Sequence, residues 1–103
     1  MDPLIEIKRL VMRAKVLFTL KAEEEIEADG LTEDQVCEAI VSARRIFKTL
    51  RSRNPESGKN ETLHVIKGVS FEGILIYTKG KIARIGGVEF FYVLISSKRS
   101  TDV

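Results

Sequence analysis

The sequence predicts an α+β fold in which N-terminal helices pack on one face of a three- or four-stranded antiparallel sheet. Three observations carry this reading. Apolar residues recur at helical spacing through the first 43 positions, and runs rich in β-branched and aromatic residues take over after position 61. The connections between those later runs are of hairpin length, whereas parallel neighbours would need a long crossover. With 103 residues, 44% of them hydrophobic, the chain is expected to close one core and form a single domain.

Asp2 can cap a first helix with Pro3 at its first position, and Leu4, Ile7, Leu10, Val11 and Ala14 then follow at helical spacing to about Lys15. Val16, Leu17 and Phe18 form a short apolar link. Thr19 can cap a second helix over residues 20–28, closed by Asp29 and Gly30. Thr32, with Gln35 three residues on, makes a capping box for a third helix whose apolar stripe is Val36, Ala39, Ile40 and Ala43. Residues 46–50 can finish that helix or begin an edge strand, and the strand reading is taken. Residues 54–60 have turn chemistry throughout. Strands are expected over residues 62–71, 74–78 and 88–97, with Ile82 to Ile85 available to lengthen the second.

The net charge is only +2, but it is unevenly placed: the first 43 residues sum to −5 and the remainder to +7. Such segregation makes one part of the surface attractive to a polyanion while the whole stays nearly neutral. One cysteine, Cys37, excludes an internal disulfide and leaves too few thiols for a zinc cage, and its place in the third helix reads as a small core residue. No run approaches the length of a membrane span, and charges interrupt the first 20 residues too often for a signal peptide, so a cytoplasmic protein is expected. Phosphate-loop, dinucleotide, zinc-protease and serine-elbow motifs are missing. Glu23, Glu24, Glu25 and Glu27 point in different directions around a helix, so they read as a solvated face and not as a metal site. No cofactor or metal is expected.

Strand alternation selects candidate site residues. Leu75, Tyr77 and Lys79 share one side of the second long strand. In the first, Leu63 and Val65 suit the core, which places His64 on the open face. The last strand is apolar on both sides, so its orientation is left open. With Phe91, Val93 and Ile95 under the helices, Tyr92, Ser96 and Lys98 join His64, Tyr77 and Lys79 on one surface. Metal-free RNA cleavage needs a base for the 2′-hydroxyl, positive charge for the phosphorane and a proton for the departing 5′-oxygen. Histidine and lysine supply these near neutral pH. Arg44, Arg45, Lys48, Arg51 and Arg53 form a basic run, continued by Lys59, Lys67, Lys81, Arg84 and Arg99, suited to holding phosphates. The plainer alternatives are a structural histidine, packing tyrosines with wet hydroxyls, and a solvated charge run.

The segment from Phe18 through Gly30, Leu31, Thr32, Glu33, Asp34, Gln35 and Val36, with Ala39 and Ile40, then Thr62, Leu63, His64, Val65 and Ile66 and the closing strands, resembles small toxins of the RelE/MqsR superfamily. The likeness spans about residues 3–98 and rests on pattern and short strings. It implies an mRNA interferase, a metal-independent endoribonuclease of a type II toxin-antitoxin system, held inactive by a partner antitoxin. MqsR-like members use tyrosine and lysine on adjacent strands, helped by a second lysine and a glutamine, while RelE-like members rely on Lys, Arg and a tyrosine. Laid on this chain, His64 stands where that tyrosine would be, a departure from the pattern, and Lys79 stands at the lysine. The glutamine has no counterpart, Gln35 being a helix cap. The resulting expectation is that His64 and Lys79 lead the chemistry, Tyr77, Tyr92 and Lys98 assist, and the arginine-rich run with Lys81, Arg84 and Arg99 holds the strand. Cleavage would leave 2′,3′-cyclic phosphate and 5′-hydroxyl ends. The alternative is a non-catalytic module of the same fold that binds RNA, or binds protein by adding a strand to a sheet edge.

Overall fold

The computed structural model describes residues 2–97. Its elements are α1 (Pro3–Met12), β1 (Val16–Phe18), α2 (Leu20–Ala28), α3 (Glu33–Ser42), β2 (Lys48–Arg53), β3 (Asn60–Val69), β4 (Leu75–Ile85) and β5 (Val88–Ser97). The sheet has five strands in the order β1-β5-β4-β3-β2. β1 pairs parallel to β5 and every other pairing is antiparallel, so the expected three- or four-stranded antiparallel sheet is corrected to a five-stranded mixed one. The missed strand is the Val16 to Phe18 link. Three residues carry no readable alternation, and what makes them a strand is main-chain pairing with the far end of the chain, from the Phe91 N–H to the Lys15 carbonyl (2.9 Å) and from the Thr19 N–H to the Val93 carbonyl (3.0 Å).

The helix signals act locally as read. Asp2 accepts from the Leu4 N–H and Thr19 from the Ala22 N–H, and Thr32 and Gln35 close a reciprocal capping box. α1 stops at Met12 and not at Lys15. Its carbonyls are closed by bonds from Ala14 to Val11 (3.0 Å) and from Lys15 to Leu10 (2.8 Å), with Ala14 left-handed at φ 60°. α2 ends in the same way, with Gly30 in the left-handed place and Leu31 bonded to Ile26.

All three helices lie on one face of the sheet, α2 chiefly on β5 and α3 on β3. Ile7, Val36 and Ile40 meet Ile66, Ile76, Phe91 and Val93 in one apolar cluster. Gly68 fixes how closely α3 can approach, since a Cβ there would stand 1.8 Å from the Ala39 carbonyl oxygen. That contact also fixes the parity of β3: Gly68, Ile66 and His64 face the helices, and Leu63 and Val65 point the other way. The expected parity, with His64 on the open face, is therefore reversed. Both parities of this strand are apolar, so alternation alone had no means of choosing. Val65 is nevertheless fully buried; its cross-strand partners are Lys48 and Lys79, whose aliphatic stems suit that cover. Among the described residues no helix is long and apolar enough to cross a membrane.

Candidate functional site

The sheet does not stay closed along its length. β3 and β4 pair from Val69 and Leu75 as far as His64 and Gly80. Beyond that point β3 continues with β2 to the Asn60–Arg53 pair, and β4 continues with β5 to the Ile85–Val88 pair. Two hairpins thus part like the prongs of a fork. The parting coincides with a register shift against β5 between Lys79 and Gly80. Phe91 lies directly over Gly80, where a Cβ would stand 2.7 Å from the ring and 2.6 Å from the Tyr92 carbonyl oxygen. Glycine in mid-strand is the sequence signal for such a bulge.

Between the prongs is a cleft of about 570 Å³, lined by His64 at its apex, Lys59, Glu61 and Thr62 from the β3 side, and Lys81, Ile82 and Arg84 from β4. Lys81 Nζ bridges the prongs to the Glu61 carboxylate at 3.0 Å. Glu61 also accepts from the Asn54 amide; this bond first, and the Lys81 bond second, hold its carboxyl below the usual range. Arg84 is anchored to the Gly87 carbonyl (3.1 Å) and stands 3.8 Å from Glu89. Arg51 and Arg53 are the register partners of Thr62 and Asn60, so they stand on the same side of the sheet one strand beyond the cleft, with the Arg53 Nε–H bonded to the Gly58 carbonyl (3.2 Å). His64 is only 7% exposed, its Nδ1 has no hydrogen-bond partner, and burial pulls its pKa below the ordinary 6.5, so the imidazole is neutral at pH 7. The group is a neutral imidazole, its Nδ1 buried without a partner, at the inner end of a cleft with a cationic rim.

The other expected site residues divide by face. Tyr77, Lys79, Lys81 and Tyr92 lie on the sheet face away from the helices; alternation grouped Tyr77 with Lys79, added Tyr92 for one orientation of its strand, and did not place Lys81. Lys81 stands opposite Tyr92, with its Nζ 6.0 Å from the ring centroid, and so belongs both to that face and to the cleft. His64 and Lys79 point to opposite sides, so the structure does not bring these two together. Ser96, placed on the open face with Tyr92, is corrected. The register shift inserts Leu94, so Ser96 turns under the helices, fully buried, with its N–H directed at Glu25 (3.4 Å). The basic run is split. Arg44 and Arg45 line a separate hollow with Lys67, Lys48 points to the open face, and Arg51 and Arg53 share the His64 side of the sheet one strand away from the cleft. Lys98 and Arg99 lie outside the described residues. Cys37 is half-buried; burial, and then the nearby Asp34, Glu33 and Glu38 charges, push its thiol up to about 11, which keeps it protonated at neutral pH.

Sequence reasoning passed over Glu61, gave Thr62 no role in the site and gave Lys81 only a binding role. The available signal was Gly80, a glycine between two strand-like segments that marks where pairing fails.

No family model matches the chain, and no curated protein or solved structure matches it.

Proposed function

We propose that the protein is a metal-independent endoribonuclease that cuts mRNA in the fork between β3 and β4, acting as the toxin of a type II toxin-antitoxin pair in the cytoplasm. The observation that carries the cleavage reading is the neutral His64 at the apex of a cleft rimmed by Lys59, Lys81 and Arg84. The toxin and antitoxin part rests on the resemblance to RelE/MqsR proteins.

In this reading the imidazole of His64 takes the 2′-hydroxyl proton as the 2′-oxygen attacks the adjacent phosphorus. The phosphorus–O5′ bond breaks, leaving a 2′,3′-cyclic phosphate, and the 5′-oxygen takes a proton from the Lys81 ammonium. Proton exchange with water then restores both side chains. Glu61 holds Lys81 through one N–H and leaves two for the phosphate. Arg84 and Lys59 stabilise the phosphorane, Arg51 and Arg53 hold the flanking backbone, and Tyr92 offers a ring for a neighbouring base beside Lys81. Tyr77 and Lys79 extend that surface along the open face. Lys79 thereby becomes a substrate-positioning residue, and the leading role expected for it beside His64 passes to Lys81.

The test is inducible expression in bacteria of the wild type, His64→Ala and Lys81→Ala, with RNA examined for new 5′-hydroxyl ends, and cleavage by the purified proteins. Growth arrest with new ends is expected from the wild type, and each substitution should lower the cleavage rate by about 100-fold or more, the usual contribution of a general acid or base. Salt-sensitive RNA binding by a folded wild type that leaves RNA intact would replace this reading with the non-catalytic module.

A further inference from the structure

Away from the cleft, the outer surface of the helical layer carries an apolar strip. Ile5 is 53% exposed, Met12 72% and Phe71 77%. Met12 lines two adjoining hollows, one along α1 of about 530 Å³ and one between α1, α3 and Phe71 of about 270 Å³. An exposed strip of large side chains in adjoining hollows marks an interaction surface more often than a solvated one.

Phe71 is not a loose loop residue. Its N–H bonds the Glu38 carboxylate at 3.0 Å, and the next residue, Glu72, accepts from the Gln35 amide at 2.9 Å. The β3–β4 turn is thus tied to α3 with its ring held out in solvent. A turn whose backbone is tied down in advance loses little freedom on association, a condition that favours the aromatic it carries as an interface anchor.

The charges beside the strip name the occupant. The α1 side carries Lys8, Arg9 and Arg13, and the α3 side carries Asp34 and Glu38, with Met12 between them. A two-fold axis through the neighbourhood of Met12 would lay the basic α1 of one copy over the acidic α3 of the other, twice. Isologous pairing demands this self-complementarity. We propose that two copies of this chain pair through this surface, with Met12 and Phe71 at the centre and the α1 cations facing the partner's α3 carboxylates.

The experiment is sedimentation of the purified chain and two charge-reversed variants, R9E/R13E and D34R, each checked for an unchanged far-ultraviolet spectrum. The wild type should sediment as a dimer at about 100 μM, well above the micromolar Kd of a modest interface. Each variant alone should be a monomer, because reversal sets like charges against each other at both contacts. An equimolar mixture of the two should form dimers again, since one contact then keeps the native pairing and the other sets the carboxylates introduced in one variant against the arginine introduced in the other. A monomeric wild type at that concentration, variants that stay dimeric, or a mixture that stays monomeric would each overturn the proposal. RNA cleavage by monomeric variants is read separately, so failure of the pairing leaves the assignment of the cleft untouched.

Discussion

Ala14 and Gly30 do the same work at the ends of two neighbouring helices, and only one of them is suited to it. Each holds the left-handed position of a Schellman ending, at φ 60° and 70° respectively. An L side chain in that region costs about 1–2 kcal/mol, part of which a glycine gives back through the greater freedom of its unfolded chain. Ala14→Gly should therefore stabilise the protein by about 0.5–1 kcal/mol, seen as a rise of a few degrees in Tm on thermal unfolding. His64 makes the opposite kind of demand. Its pKa is depressed in the fold and ordinary in the unfolded chain, so on acidification the unfolded chain takes up the proton first. Stability should fall as pH drops through about 6.5 towards the depressed folded value. Urea unfolding at pH 7 and pH 5 checks this: the loss should be smaller in His64→Gln, which has no proton to take up. Glu61, held below the usual carboxylate range, adds its own loss only at still lower pH.

Among the elements, the caps were the most legible part of the sequence, because Thr19 and the Thr32–Gln35 box act within three residues of themselves. The last strand was read with its observed limits, Val88–Ser97, since a ten-residue β-rich run that opens after two glycines and closes at a polar, basic stretch allows little else. The fork was not legible. It arises where Gly80 slips the register of β4 against β5, a choice made between strands and invisible along either one. The two in-strand glycines should respond unequally to alanine. At Gly68 the new Cβ would meet α3 backbone at 1.8 Å, and at Gly80 it would meet a ring edge at 2.7 Å and a carbonyl at 2.6 Å. Gly80→Ala is expected to cost about 1–3 kcal/mol in urea unfolding, the usual range for overpacking, and Gly68→Ala more, because a helix must lift off the sheet.

For the molecule as a whole, the sequence foretold that charge is segregated and that its cationic half is the sheet half, but it could not place the cations relative to one another. Two residues apart in sequence, Lys79 and Lys81 share a face, yet only Lys81 reaches the cleft. If Lys59, Lys81, Arg84, Arg51 and Arg53 each meet a phosphate, the logarithm of the affinity for single-stranded RNA should fall by about 3.5 per tenfold increase in salt. Fluorescence anisotropy titrations at several salt concentrations give that slope directly, and a slope near zero would deny the cleft its polyanion.

The parallel pairing of β1 with β5 also bears on how the chain reaches this state. Residues 16–18 find their partners at residues 91–93, and Thr19 Oγ1 is bonded to the Leu94 carbonyl 75 positions away. α2 rests chiefly on β5, and α1 rests on β5 as well as on α3, so their apolar sides stay incompletely covered until the last strand is in place. Closing a loop of that length comes late and slowly, because its entropy must be met before its contacts form. As the chain emerges from the ribosome, α1 and α2 must wait for the last strand to complete their cover, and until then their apolar faces are open to any chaperone that holds unfinished chains.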